Sequence, residues 1–192
     1  MPTFRAAIFN RKGFTLLEIL VVIALMALFV TFALPRFQTK LELDLKRQAR
    51  MLSGTIQFLY NQAALKNKTY RLRYRLEGDR HSYWVESSSE KIMLGAQKEE
   101  PRQKQASPFA MDKNLLKKPV KLEKNLKFKD ILTESQPLPI THGDAYTHFF
   151  PHGYAEQTRI RIENKKGQIY TIVVQPLTGG ARIYAYDLAE KE

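Results

Sequence analysis

The chain has 192 residues and a formal net charge of +12 at pH 7, and it contains no cysteine. The lack of cysteine excludes disulfides, thiolate nucleophiles and cysteine-ligated metals. The positive charge permits attraction to nucleic acid or to anionic lipid, but it demonstrates neither.

Residues 1–13 form a short basic stub before a long apolar run. The stub carries Arg5, Arg11 and Lys12 and no acid, which favours a cytoplasmic location. Basic residues also follow the run, so the orientation rests on the long C-terminal part, which can cross a membrane largely regardless of its charge. No small-residue cleavage site follows the apolar run, so any cleavage has to come before it.

The apolar run over residues 14–34 predicts a transmembrane helix. Between Phe14 and Leu34 the only ionisable residue is Glu18. A helix of this length rises about 31 Å, close to the hydrocarbon thickness of about 30 Å. A buried core helix is the competing interpretation, but helices this apolar on every face are rare in small domains. Glu18, near a helix start that favours negative charge, is either a tolerated interfacial acid or the partner of a buried cation.

The helix is predicted to continue as an amphipathic segment over residues 35–67. Apolar residues recur at helical spacings of three and four, at Leu41, Leu45, Ala49, Leu52, Ile56, Leu59 and Ala63. This stripe is expected to pack on the domain's own sheet. Pro35 predicts a bend, because it lacks an N–H and clashes with the preceding turn.

Residues 68–192 predict an antiparallel β domain, so the fold class is α+β, with a long N-terminal helix packed on antiparallel sheets. Tyr70, Leu72 and Tyr74 alternate with arginines, and Gly78 lies in the turn of a first hairpin. Further strands are expected near 120–122, 126–132, 145–150, 157–163, 168–175 and 181–186. The polar stretch 88–118 predicts a long mobile loop with a short helical turn near 111–116.

The polar residues of the predicted β domain suggest no enzyme. His142, His148 and His152 lie near Asp144 in the sequence, but their spacing does not form a metal-ligand set. No catalytic triad, phosphate-binding glycine loop or carboxylate pair is present as a motif. We therefore predict no catalytic residue, no metal, no cofactor and no enzymatic activity.

Arginines on the predicted strands raise the question of nucleic-acid binding. A basic patch could be built from Arg71, Arg73, Arg75, Arg159, Arg161 and Arg182. Such a patch would attract phosphates without sequence preference. A solvated strand face is the favoured interpretation, and nucleic acid is the alternative partner.

The string R-K-G-F-T-L-L-E, from Arg11 to Glu18, resembles the leader and N-terminus of type IV pilins and type II secretion pseudopilins. The resemblance extends to Leu34, and Pro35 stands where many of these proteins have a helix-bending proline. It implies that residues 1–13 are a leader, cut between Gly13 and Phe14 by a prepilin peptidase that then methylates the amine of Phe14. It also implies that Glu18 serves subunit assembly by meeting the N-terminal ammonium of a neighbouring subunit.

The C-terminal half resembles the minor pseudopilin H, or FimT-like, group. The resemblance is carried by the segment Phe149-Phe150-Pro151-His152-Gly153 and by the strands that lead to Thr178-Gly179. It implies a pilin-like fold and a structural subunit at or near the tip of the type II secretion pseudopilus, which supports export of folded proteins across the outer membrane. The alternative is a minor type IV pilin involved in pilus assembly, adhesion or DNA uptake.

The same resemblance implies the protein's location and its partners. The chain is expected to cross the bacterial inner membrane once, with a cytoplasmic N-terminus and a periplasmic C-terminal domain, and to enter a periplasmic pseudopilus. The partners implied are other minor pseudopilins, the major pseudopilin, the inner-membrane assembly platform, the prepilin peptidase and membrane lipid.

Overall fold

The computed structural model describes residues 14–88 and 107–188, with the side chains of residues 32–39 excluded. The predicted leader and residues 89–106 of the predicted loop therefore lie outside the described residues. The chain divides into two compact units, Met1–Lys40 and Leu41–Glu192. One helix, α1 (Leu16–Lys66), supplies residues to both.

Both ends of α1 are capped. The hydroxyl of Thr15 accepts a hydrogen bond from the backbone N–H of Glu18 at 3.2 Å, which satisfies one of the donors left free at a helix start. At the other end Asn67 has a φ of 51°, and the N–H of Lys68 donates to the carbonyl of Ala63 at 3.3 Å. A left-handed residue directly after the last turn is a common way to end a helix.

The second half of α1 packs the predicted apolar stripe into the core. Six of its residues are fully buried: Leu45, Ala49, Leu52, Ile56, Leu59 and Ala63. Leu41, at the start of the predicted stripe, is only partly buried. The helical spacing thus identified the buried face correctly, because residues three and four apart lie on one side of a helix.

In the part of the chain that the structure describes, eleven strands follow the helix. In chain order they are β1 (Thr69–Arg75), β2 (Ser82–Ser88), β3 (Ala110–Met111), β4 (Val120–Lys121), β5 (Leu126–Thr133), β6 (Gln136–Ile140), β7 (Asp144–Phe150), β8 (Tyr154–Ala155), β9 (Thr158–Asn164), β10 (Ile169–Val174) and β11 (Ala181–Tyr184). They form two antiparallel sheets. The first has the order β3-β2-β1-β7-β8, with β4 also paired to β2, and the second has the order β11-β10-β9-β5-β6.

The helix and the two sheets share one core, which confirms the α+β fold with a helix packed on antiparallel sheets. Leu52 and Ile56 of α1, Leu72 of β1, Phe128 of β5 and Ile172 of β10 are members of this core, and all are buried. The strands β9 and β10 bury alternate residues or more, as expected for sheet faces that cover a core.

The C-terminal part of the predicted loop is structured. Phe109 is buried, and Ala110 and Met111 pair with Ser87 and Glu86 of β2. The predicted helical turn is present, because the N–H of Leu116 donates to the carbonyl of Asp112 at 3.2 Å. These contacts were not predicted, because Phe109 and Leu116 are surrounded by polar residues and form no periodic apolar pattern in the sequence.

Tyr60 of α1 holds two turns of the β domain against the helix. Its hydroxyl lies 3.0 Å from the carbonyl oxygen of Gly153 and 2.6 Å from that of Leu177. Gly179, with a φ of 61°, lies so close that an added Cβ would overlap the Tyr60 ring. The Phe149–Gly153 segment and the Thr178-Gly179 turn, far apart in sequence, therefore meet at one side chain.

Candidate functional site

The first half of α1 presents an apolar surface. Every residue from Phe14 to Thr31 is exposed, and the apolar ones include Phe14 at 79% and Phe29 at 75%. Exposed apolar surface costs about 25 cal/mol per Å² in water. A continuous surface of this kind marks an interaction with lipid or with other apolar helices.

Glu18 is the ionisable residue of this surface. It is exposed, and its backbone belongs to the cap formed with Thr15. Its carboxylate forms no ion pair with any residue that the structure describes.

Two further predictions concern the same helix. Within residues 14–88 and 107–188, no helix is long and apolar enough to be a candidate membrane span. The span over residues 14–34 stays a prediction. The helix is continuous through position 35, and the bend at Pro35 also stays a prediction.

The arginines of β1 are paired with acids, and Arg71 is buried, Arg73 half-buried and Arg75 exposed. Arg71 is 8% exposed, and its Nε donates to the Glu86 carboxylate at 2.6 Å. Its guanidinium lies 4.0 Å from the ring centre of Phe109 and 4.3 Å from that of Tyr146. Arg73 also pairs with Glu86, at 3.1 Å. Buried guanidinium groups that are paired with carboxylates and stacked on rings offer little charge to a nucleic acid.

Asp144 extends this network to the end of β1. It pairs with Arg73, and with Arg75 at 3.4 Å. Burial raises the pKa of the Asp144 carboxyl, but the hydrogen bond and charge of Arg73, with those of Arg75, outweigh it and leave the pKa below its usual value. The indole of Trp84 lies between the two arginines, with each guanidinium 4.9 Å from its ring.

The remaining arginines of the predicted patch belong to the other sheet. Arg161 donates to Asp130 at 2.7 Å and to Asp187 at 2.8 Å, and Asp187 also accepts from Lys129 at 2.8 Å. Arg159 lies on β9 as well, and Arg182 lies on β11. The structure therefore does not bring the six arginines together, and the prediction of one basic surface is corrected because β1 and β9 belong to different sheets.

Sequence analysis missed the acids that neutralise these arginines: Glu86, Asp130, Asp144 and Asp187. Each lies on another strand or in the C-terminal segment, so its pairing depends on register and sheet order. The only sequence feature that could have indicated these ion pairs is the presence of an acid in a strand that pairs with an arginine-bearing strand. That signal is too weak to use when the neighbours are unknown.

The histidines of the candidate cluster are not all brought together: His148 and His152 both lie beside the ring of Phe150, whereas His142 contacts Thr141. His148 bonds through Nδ1 to Glu156 at 2.7 Å, and rings from His148 through Phe150 and His152 to Tyr154 follow one another at 5.6–6.4 Å. Among the described residues, no group of three histidines or acids could hold a metal ion.

Comparison with known families decides the character of the N-terminus. A family model described as the prokaryotic N-terminal methylation motif matches residues 8–34. The chain carries this methylation motif. The match confirms the predicted methylation-type N-terminus, and the roles of Gly13, Phe14 and Glu18, which lie within it, stay predictions.

The methylation motif covers the end of the stub, from residue 8, and the exposed apolar part of α1. Two solved structures of the minor pseudopilin EpsH, from the type II secretion system of Vibrio cholerae, are similar to about three quarters of the chain. One has a TM-score of 0.44 and 15% identity, covering 74% of this chain and 97% of that one. The other has a TM-score of 0.44 and 14% identity, covering 75% and 95%. No curated protein sequence matches the chain.

Proposed function

We propose that this protein is a minor pseudopilin, a structural subunit at or near the tip of a type II secretion pseudopilus. The observation that carries the proposal is the methylation motif over residues 8–34, which includes the exposed apolar surface of α1. Such a surface needs lipid before assembly and other helices after it. The role is structural and not enzymatic.

Processing follows from the motif. A prepilin peptidase cuts between Gly13 and Phe14, and the new amine of Phe14 is methylated. Glycine before the cut lets the protease approach the backbone closely, since it has no side chain. The mature chain stays in the inner membrane, with its β domain in the periplasm, until it is extracted into the filament by the assembly platform.

Glu18 gives the assembled filament its axial register. An unpaired carboxylate in an apolar filament core costs several kcal/mol, so the subunit is favoured in the position where Glu18 meets the N-terminal ammonium of a neighbour. The exposed position of Glu18 on a largely apolar surface supports this role.

The choice of a secretion filament over a type IV pilus rests on the C-terminal half. The segment Phe149–Gly153 and the Thr178-Gly179 turn carry the resemblance to the minor pseudopilin H group. Both segments contact Tyr60, so each of them has a structural role in holding the β domain against the helix. Other minor pseudopilins and the major pseudopilin are the partners that such a subunit contacts.

The proposal is tested by Glu18→Ala, with Glu42→Ala as the matched control. Glu42 is an exposed acid of the same helix beyond the apolar part. We expect both variants to reach the membrane fraction in parental amounts, but only Glu18→Ala to lose at least about tenfold in co-purification with sheared filaments, since one unpaired buried charge costs several kcal/mol. Equal incorporation of both variants contradicts the proposal.

A further inference from the structure

An apolar groove lies beside the second half of α1. One wall is formed by Met51, Gly54 and Phe58 of the helix, and the facing wall by Leu115, Leu116 and Val120. Side chains of β2 form its floor. The groove is open to solvent. Its volume of about 340 Å³ is enough for one or two large side chains.

The helix wall of the groove is shaped for an inserted side chain. Met51 is 50% exposed and Phe58 is 46% exposed, and they lie one heptad apart on α1. Gly54, between them, has no atom within 4 Å of where a Cβ would stand. Two apolar residues thus flank an open position, and methionine and aromatic side chains are typical of protein-binding surfaces.

Both walls of the groove carry positive charge. From Lys46 to Lys66 the helix contains Arg47 and Arg50 and no acid. The facing segment, residues 112–121, exposes Lys113, Lys117, Lys118 and Lys121, and its one acid, Asp112, is half-buried. An apolar recess with a cationic rim is complementary to a ligand that is apolar on one face and acidic around it.

We propose that this groove binds an acidic amphipathic segment of another protein. An apolar side chain of the segment enters between Met51 and Phe58, over Gly54, while its carboxylates face Lys117 and Lys118. This interaction goes beyond the filament role, because neither the methylation motif nor Glu18 takes part in it.

The charges and the apolar walls of the groove favour an acidic amphipathic segment over a second copy of this chain or a nucleic acid. A second copy of the chain is disfavoured, because the formal net charge is +12 and the helix wall has no acid to offer. A nucleic acid would meet the lysines, but the apolar walls give its phosphates nothing to bind.

The test uses the full chain in nanodiscs of neutral lipid and three fluorescein-labelled peptides, read by fluorescence anisotropy. The first peptide has leucines at positions i, i+3, i+4 and i+7 and glutamates elsewhere. The second replaces the glutamates with lysines, and the third has the first peptide's composition in scrambled order. We expect the first to bind at least about tenfold more tightly than the other two. Equal binding of the lysine peptide or of the scrambled peptide overturns the proposal.

Two variants locate the binding. Gly54→Leu fills the open position, and the double variant Lys117→Glu/Lys118→Glu reverses the rim; each should weaken binding of the acidic peptide at least about tenfold. The double variant Lys165→Glu/Lys166→Glu makes the same charge change in the exposed β9–β10 turn and should leave binding unchanged. Unchanged affinity in either groove variant, or equal loss in the control, overturns the proposal.

A second measurement covers the case in which Gly54→Leu fails to fold. In the parent chain with carbon-13-labelled methionine methyl groups, the acidic peptide should shift the resonance of Met51, assigned with Met51→Ile, and leave that of Met26 in place. An unshifted Met51 resonance overturns the proposal. A single-stranded oligonucleotide that competes with the peptide and loses affinity in the same variants also overturns it, in favour of nucleic acid.

Discussion

Gly179 has no room for a side chain, because the ring of Tyr60 occupies the space where a Cβ would stand. Gly179→Ala should lower the free energy of unfolding by about 3 kcal/mol, of which 1–2 kcal/mol comes from the left-handed backbone and the rest from overpacking. The measurement is urea unfolding of the detergent-solubilised chain, followed by the fluorescence of its one tryptophan, Trp84.

Gly167→Ala separates these two causes. Gly167 has a φ of 77°, but nothing lies within 4 Å of its absent Cβ. Its substitution should cost only the backbone term, about 1–2 kcal/mol. Equal losses in the two variants would show that the contact with Tyr60 adds nothing.

Glu156 makes part of the stability depend on pH. The residue is fully buried, and its carboxylate accepts hydrogen bonds from the backbone N–H of Ser135 at 3.2 Å and of His148 at 3.1 Å. Burial raises the pKa of this carboxyl, but the hydrogen bonds and charge of His148, together with Ser135, hold it below its usual value.

A carboxyl whose pKa is lowered by folding stabilises the protein above its unfolded pKa, and this contribution is lost as the pH falls through the folded pKa. Glu156→Gln should therefore cost about 2 kcal/mol near neutral pH, and the difference from the parent should shrink below about pH 4. Urea unfolding at both pH values measures this, with the exposed Glu123→Gln as the control. A deficit that stays constant with pH would contradict the assignment.

At the scale of elements, β6 shows how two prolines protect a sheet edge. β6 is the end strand of the second sheet, its residues Gln136 to Pro139 are exposed, and Leu138 is 77% exposed. Proline cannot donate a hydrogen bond to an added strand, so it keeps an edge from pairing with another chain.

The double variant Pro137→Thr/Pro139→Thr should therefore associate into larger species on incubation. Size-exclusion chromatography and thioflavin T fluorescence follow this association. Pro119→Thr, at an exposed position before β4, is the control and should behave as the parent. A double variant that stays as dispersed as the parent would show that the edge is protected by something else.

The elements that sequence predicts well are those with local signals. The buried stripe of α1 and the β1–β2 hairpin were visible because their periodicity and turn lie within a few residues. The strand β6 was missed because Pro137 and Pro139 argue against a strand, and β3 because its two residues lie within the polar stretch 88–118. The division into two sheets depends on pairs such as β1 with β7 and β5 with β9, which no local pattern encodes.

The candidate site divides in the same way. The methylation motif is a continuous string, so Gly13, Phe14 and Glu18 could be recognised without knowledge of the fold. The ion pairs of the arginines could not be predicted from the sequence. Arg161, for example, pairs with Asp130 and Asp187 only when β5, β9 and the C-terminal segment have come together.

At the scale of the molecule, the unit from Leu41 to Glu192 contains a complete core. A chain of these residues should fold without detergent, since it keeps both sheets and the buried stripe of α1. Circular dichroism and size-exclusion chromatography test this. A chain that begins at residue 68 lacks Leu45, Leu52, Ile56 and Leu59 and should not fold, because each lost leucine or isoleucine removes about 1.5–3 kcal/mol. Failure of the longer chain would show that its core depends on residues 14–40.

The contact between Tyr60 and its two turns has a consequence for the order of events during synthesis. The carbonyl groups that Tyr60 meets lie 93 and 117 residues later in the chain, and the carbonyl that accepts from Ser53 lies 128 residues later. The helix is made first, but its docking partners leave the ribosome among the last. The stripe from Leu45 to Ala63 can therefore be covered only in part, by strands such as β1 and β2, until the final hairpin has been made, and apolar surface exposed in this way favours aggregation during synthesis.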